Sequence, residues 1–261
     1  MKRKPDFLSF PAGLLSAEPL RLPILRQTGN WLALHKPAGL AAIRRGYGKE
    51  KGFAIGDALR CECERGKPQL EAHGFDGIHS LCAPACEVEG IYLLAKNPAS
   101  RKALRDAMGS GHFRFYYQFW SVNRPDLPES MECQLPVARH RHEDRALVSH
   151  RTGKKTTTHF RRLATLPGAD LWQSDSTFDR WHQVRLHASE LGIPPLLDEL
   201  YGGAPELPYE WRKSLPRQRR AFPTLWQTAL SIPQEDPIHL SPPKIWQKLQ
   251  NTFSALSRDI S

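Results

Sequence analysis

Residues 180–203 read RWHQVRLHASELGIPPLLDELYGG, and the reading of this stretch decides the fold. Residues 180–192 have the periodicity of a helix. Trp181, Val184, Ala188 and Leu191 fall on one side, and Gly192 stands where a helix C-cap wants a glycine. Arg185 follows His182 by one turn and lies off that apolar stripe. Working outward, FRFYYQFWSV (113–122) alternates, with Phe113, Phe115, Tyr117 and Phe119 on one face of a strand. THFRRLATL and DLWQSDSTF read as two more strands, and LWQTALSI as a late one. PASRKALRDAM (98–108) opens with proline and reads as a helix. WLALHKPAGL (31–40) is a strand stopped by a Lys-Pro turn. HSLCAPACEVEGIYLLAK (79–96) reads as a surface loop feeding a buried strand. Beyond Tyr201 the chain is rich in proline and basic residues and reads mostly as loops. Strands and helices mix without strict βαβ alternation, which predicts an α+β domain on a mixed or antiparallel sheet.

Composition bounds the rest. The 261 residues, 40% hydrophobic and 25% charged, suit a soluble globular domain with a sizeable core. No apolar run approaches the ~18 residues of a membrane helix, and no signal-peptide core follows the N-terminus. The expectation is a cytoplasmic protein with no membrane partner. A net charge of +10 favours a polyanionic partner. Cys61, Cys63, Cys82, Cys86 and Cys133 make an odd set, which argues against a disulfide framework. Their spacing does not match a zinc knuckle, so no metal is expected.

Three stretches in order, HKPAGL (35–40), GIYLLAKNPAS (90–100) and the opening motif, resemble the RNA pseudouridine synthases of the RluA type. That family runs a strand into a KPAGL-like turn. An HRLD-x-x-TSG loop then leads into a strand ending in AK. A GRTHQIRVHLA-like helix follows, and then LGHPILGD-x-LYG. Lys36 to Leu40 match the turn, and Leu94 to Lys96 match the strand end. Arg180, His182, Gln183, Arg185 and His187 match the helix. Leu191, Gly192, Pro194, Asp198 and Leu200 to Gly202 match the tail. The resemblance spans roughly residues 20–235 and implies the pseudouridine synthase catalytic fold, with an RNA cleft across a central, largely antiparallel sheet. It divides the chain into an N-terminal extension (1–19), a catalytic domain (20–240) and a C-terminal tail (241–261). The implied activity isomerises uridine in ribosomal or transfer RNA without a cofactor, on a nucleotide flipped out of its stack; no DNA partner is implied.

The implied site needs a nucleophilic aspartate, a tyrosine against the base and a basic residue beside the aspartate. The basic residue falls on Arg185. The tyrosine falls on Tyr117, with Tyr116 as the alternative, because Phe115 replaces the lysine usual two places earlier. The aspartate has no match. Aligned on Gly90 its place is taken by Ala85; aligned on His79 it is taken by Cys82. Glu87 is the nearest substitute, with Glu89 and Asp76 further off. Asp179 stands where the family has the glycine before its first arginine. Three readings follow: a synthase with an unorthodox nucleophile, an RNA-binding pseudoenzyme of the same fold, or a scaffold for a protein partner. Lys36, Arg151, Lys154, Lys155, Arg180, His182 and Gln183 are the candidate RNA-binding residues. Arg151, Lys154 and Lys155 belong to a basic segment, RHRHEDRALVSHRTGKKTTTHFRR (139–162), that reads largely as a phosphate-neutralising loop. A second basic run holds Arg212, Lys213, Arg217, Arg219 and Arg220.

Overall fold

The computed structural model describes residues 6–44, 53–214 and 222–256. Among these residues the chain forms β1 (Phe7–Phe10), β2 (Leu20–Gln27), β3 (Trp31–Lys36), α1 (Ile55–Glu64), α2 (Pro68–Ala72), β4 (His79–Cys82), β5 (Val88–Ala95) and α3 (Pro98–Gly109). There follow β6 (Arg114–Val122), β7 (Ser130–Cys133), β8 (Val137–Arg139), β9 (Ala146–Val148), β10 (Thr158–Leu166) and β11 (Ala169–Ser176). Last come α4 (Gln183–Glu190), a single 3-10 turn (Glu199–Tyr201), α5 (Tyr209–Ser214), β12 (Leu225–Ser231), β13 (Ile238–His239) and α6 (Lys244–Leu256). Arg217, Arg219 and Arg220 of the second basic run lie outside the described residues.

One sheet runs through the molecule in the order β1-β2-β3-β5-β12-β6-β11-β10-β7, with β4 beside β5 and β13 beside β12. Every neighbouring pair in it is antiparallel except β12 with β5. β3 and β5 read as unbroken apolar runs because both of their faces are covered. Trp31, Ala33, Ile91 and Leu93 point into the central core. Leu32, Leu34, Tyr92 and Leu94 point into a second core beneath α1 and α2. The period-2 alternation of a strand sends consecutive residues to opposite cores. β6 alternates as expected, and Phe115, Tyr117 and Phe119 are buried while Tyr116 and Gln118 turn to the other face.

Several expectations are corrected. Residues 7–10 are not a free extension: they pair with β2, and Leu8 and Phe10 are buried in the second core. Residues 244–256 are not a tail. They form α6, whose Trp246 packs edge-on against Trp120 and Trp226, while Trp211 of α5 packs edge-on against Trp120 from another side. Aromatic edges against faces favour such T-shaped packing. His79–Cys82 is a strand rather than part of a surface loop, and Cys82 is buried. The basic segment is partly a β8–β9 hairpin, closed by Val137 against Lys154 and packed on α4 through Val137, Ala146 and Leu186. In it, Arg139 pairs with Asp144 at 3.2 Å and Arg145 with Glu143 at 2.6 Å.

Lys36 is also corrected. It is fully buried, and its Nζ donates to the carbonyls of Pro37, Leu40 and Cys86 at 2.9, 2.8 and 3.3 Å. The Cys86 carbonyl also accepts from Gly39 N–H at 2.8 Å. The KPAGL turn therefore clamps the loop ahead of β5, and no phosphate reaches this ammonium. Lys36→Met leaves three buried carbonyls without that donor. It is expected to lower stability by about 2–3 kcal/mol in equilibrium urea denaturation; an unchanged midpoint contradicts the clamp.

Candidate nucleotide pocket

The segment leading into α4 is pinned on both sides. Ser176 Oγ donates to the Phe178 carbonyl at 2.8 Å, and Arg180 N–H donates to Gln183 Oε1 at 3.0 Å. Gln183 N–H returns a bond to the Arg180 carbonyl at 2.9 Å. Inside α4, His187 is held at 2.8 Å from Thr158 Oγ1 and donates from Nε2 to the Leu135 carbonyl at 2.9 Å. Burial lowers the His187 pKa, which keeps the imidazole neutral for these two bonds. α4 is shorter than the 180–192 expected, because His182 caps it in the left-handed region (φ 54°). Trp181 accordingly leaves the apolar stripe. It stacks on the His182 ring at 3.9 Å instead, and both rings line a cavity.

The arginine of the helix is the centre of a buried network. Arg185 Nε and Nη2 donate to both oxygens of Asp198, each at 2.6 Å. Its Nη1 lies 3.0 Å from His182 Nε2, and its guanidinium sits 5.0 Å from the Tyr201 ring centre. His182 Nδ1 lies 2.9 Å from Tyr201 Oη, which accepts from Ala146 N–H at 2.6 Å. The consistent assignment puts the imidazole proton on Nδ1, so that Nε2 accepts from Arg185. Burial alone would lower the Arg185 pKa; the Asp198 carboxylate outweighs it, and the guanidinium stays charged. Asp198 is presented by a tight turn in which Leu197 is also left-handed (φ 64°) and Gly203 passes so close to the Pro195 carbonyl that a Cβ would collide with it.

The cavity, about 150 Å³, opens above this network. Its walls are Leu81 to Ala85 from the end of β4 and its loop, Val88 of β5, Met108 of α3, Tyr117 of β6, Leu225 of β12, and residues 179–185. Of the expected residues, Tyr117, Arg180, His182, Gln183 and Arg185 meet here, as do both candidates for the missing carboxylate, Ala85 and Cys82. Lys36, Arg151, Lys154 and Lys155 do not line it. The last three are exposed, and Lys154 is bridged to Val137 at the edge of the hairpin. Tyr116 lies on the opposite face of the sheet from Tyr117.

The Cys82 thiol is held in its protonated form. Burial, reinforced by the charge of Asp179, pushes the Cys82 pKa far above the thiol range, and its Sγ rests 3.8 Å from Met108 Sδ. Glu87 is exposed and stands 3.5 Å from Arg185 Nη1, outside the lining. Asp179, by contrast, lines the cavity together with Tyr117. Burial first, and then the Asp179 charge, hold the Tyr117 pKa well above its ordinary value, so the phenol keeps its proton. Asp179 and Arg180 also border a second cavity, a groove lined by Arg101, Arg105 and Phe178. These two arginines of α3 are absent from the sequence-based set. Their i, i+4 spacing, which places them on one helix face, is the signal that could have found them.

No family model matches the chain. Among curated proteins it is 25% identical over 213 residues to ribosomal large subunit pseudouridine synthase D of Zymomonas mobilis, covering 78% of this chain and 64% of that protein. It is 25% identical over 244 residues to the Xanthomonas campestris protein of the same name, covering 91% and 70%. The chain thus spans about two thirds of the length of these relatives. Among solved structures, human RNA pseudouridylate synthase domain containing 4 superposes with a TM-score of 0.67 at 18% identity, covering 88% of this chain and 92% of that one. Human RNA pseudouridylate synthase domain containing 1 superposes with a TM-score of 0.58 at 17% identity, covering 85% and 83%. By sequence the chain is similar to bacterial ribosomal large subunit pseudouridine synthases, and its fold is that of the pseudouridylate synthase domains.

Proposed function

We propose that the chain binds RNA in the cytoplasm and receives one extruded uridine in the cavity between β6 and α4, where the base is isomerised to pseudouridine. The observation that carries this reading is the meeting of Tyr117, the stacked Trp181–His182 pair and the Arg180–Arg185 wall around one small cavity. At about 150 Å³ it suits a single ring system rather than a large ligand. Aromatic faces hold an unstacked base with ~1–3 kcal/mol each. The adjoining arginine groove suits the phosphates that flank an extruded nucleotide. The names of the curated relatives point to large-subunit ribosomal RNA as the class of substrate.

A second reading, binding without turnover, is favoured by one observation: the β4–β5 loop offers Ala85 and a protonated Cys82 where a nucleophile is needed. Both readings share the RNA footprint, which two titrations examine. Arg101→Gln with Arg105→Gln is expected to reduce the slope of log K against log salt by about 1.4, two single-strand phosphate contacts at ~0.7 each. A slope equal to that of the parent chain removes the groove from the RNA path. Lys154→Glu with Lys155→Glu is expected to weaken binding to RNAs of different sequence by the same factor in filter binding, because phosphate contacts carry no sequence information. Unchanged affinity removes the hairpin edge from the footprint.

A further inference from the structure

The carboxylate missing from the β4–β5 loop has a counterpart on the facing wall. Among the described residues that line the cavity, Asp179 is the acid. The other nearby carboxylates are paired: Glu87, exposed and outside the lining, stands 3.5 Å from Arg185 Nη1. Asp198 gives both oxygens to Arg185 in a fully buried pair. Glu89 lies 3.0 Å from His35, and Asp76 lies 3.3 Å from His79. Asp179 is exposed at the cavity mouth and lines the same cavity as the buried Tyr117, whose pKa its charge helps to raise. The backbone on either side is fixed by the Ser176–Phe178 and Arg180–Gln183 bonds, which limits where this carboxylate can swing.

We infer that Asp179, entering from the α4 side of the pocket, is the nucleophilic carboxylate of this chain, with Tyr117 as the residue that orients it. The inference rests on the uridine pocket proposed above. In the step it assigns, one Asp179 oxygen forms a bond to ribose C1′ as the C1′–N1 bond breaks, and the electron pair leaves on N1 of the uracil. The uracil anion turns, and its C5 bonds to C1′ as the C1′–O bond breaks and returns its pair to the carboxylate. C5 then loses its proton and N1 gains one. Product and substrate are isomers, so no oxidant, reductant or co-reactant is consumed. Arg185 takes no direct part; bound to Asp198, it holds the floor.

The test uses the full chain and total RNA from cells lacking its gene, with pseudouridine mapped by carbodiimide modification and RNA affinity measured in parallel. The parent chain is expected to form pseudouridine. Asp179→Asn is expected to lower the single-turnover rate by on the order of 10³-fold or more with RNA Kd unchanged. Asp179→Gly, which removes the carboxylate without adding bulk, is expected to do the same and guards against a misplaced amide. Both variants turning over at the parent rate overturns the inference and leaves the uridine pocket standing. A rate that falls only in step with RNA affinity overturns it too, by making Asp179 part of the binding surface. A parent chain that binds RNA but forms no pseudouridine overturns the inference together with the turnover reading, leaving binding alone.

Discussion

The pocket depends on one buried ion pair, Arg185 with Asp198. Both groups are buried, and the pair stands because its geometry is bidentate and Nη1 of the guanidinium finds His182, with Glu87 3.5 Å away. Two left-handed residues, His182 and Leu197, stand next to or within a turn of the pair. Each such backbone costs on the order of 1–3 kcal/mol and persists only where its surroundings over-determine it. Here they do: His182 is bonded through both ring nitrogens and stacked under Trp181. The charge of Arg185 therefore organises the floor through Asp198 and His182, with Glu87 of the facing loop 3.5 Å from its Nη1. That distinguishes this site from the arrangement its resemblance implied, in which the arginine serves the nucleophile.

A consequence follows for the opposite wall. Asp198 takes most of the charge of Arg185, the loop after β4 adds only the exposed Glu87 at 3.5 Å, and Ala85 and Cys82 face the cavity without a carboxylate. An acid on the α4 side, Asp179, shares the cavity with Tyr117 instead, and burial followed by the charge of that acid holds the phenol protonated. The Lys36 clamp keeps this loop in place, since the Cys86 carbonyl is bonded by both Lys36 and Gly39. The two walls have thus divided their tasks: one shapes the cavity, and the other carries its charged groups.

Much of this was legible in the sequence. The strands β3, β5, β6, β10, β11 and β12 and the helices α3 and α4 follow from apolar periodicity and end signals, and the gathering of Tyr117, His182 and Arg185 is what the family resemblance implies. What failed has physical reasons. Phe7–Phe10 is too short a run to read as a strand until β2 offers it an edge. α6 lies in a proline-rich region, and its place is set by Trp246 finding Trp120 across the core, a contact no local pattern announces. Lys36 entered the RNA-binding set with its match to the family-like KPAGL turn; three converging carbonyls make this one a core residue. Asp179 was visible as a departure from the glycine expected there, yet its approach to Tyr117 depends on how two distant strands and a helix lead meet.

The most direct measurement is a structure of the chain bound to an RNA it modifies. The account predicts one uridine extruded into the cavity, its base against Tyr117 and the Trp181–His182 stack, with ribose C1′ about 3–3.5 Å from an Asp179 oxygen. A bound uridine whose C1′ faces the Ala85–Cys82 loop, with the Asp179 carboxylate turned away from the sugar, would contradict it.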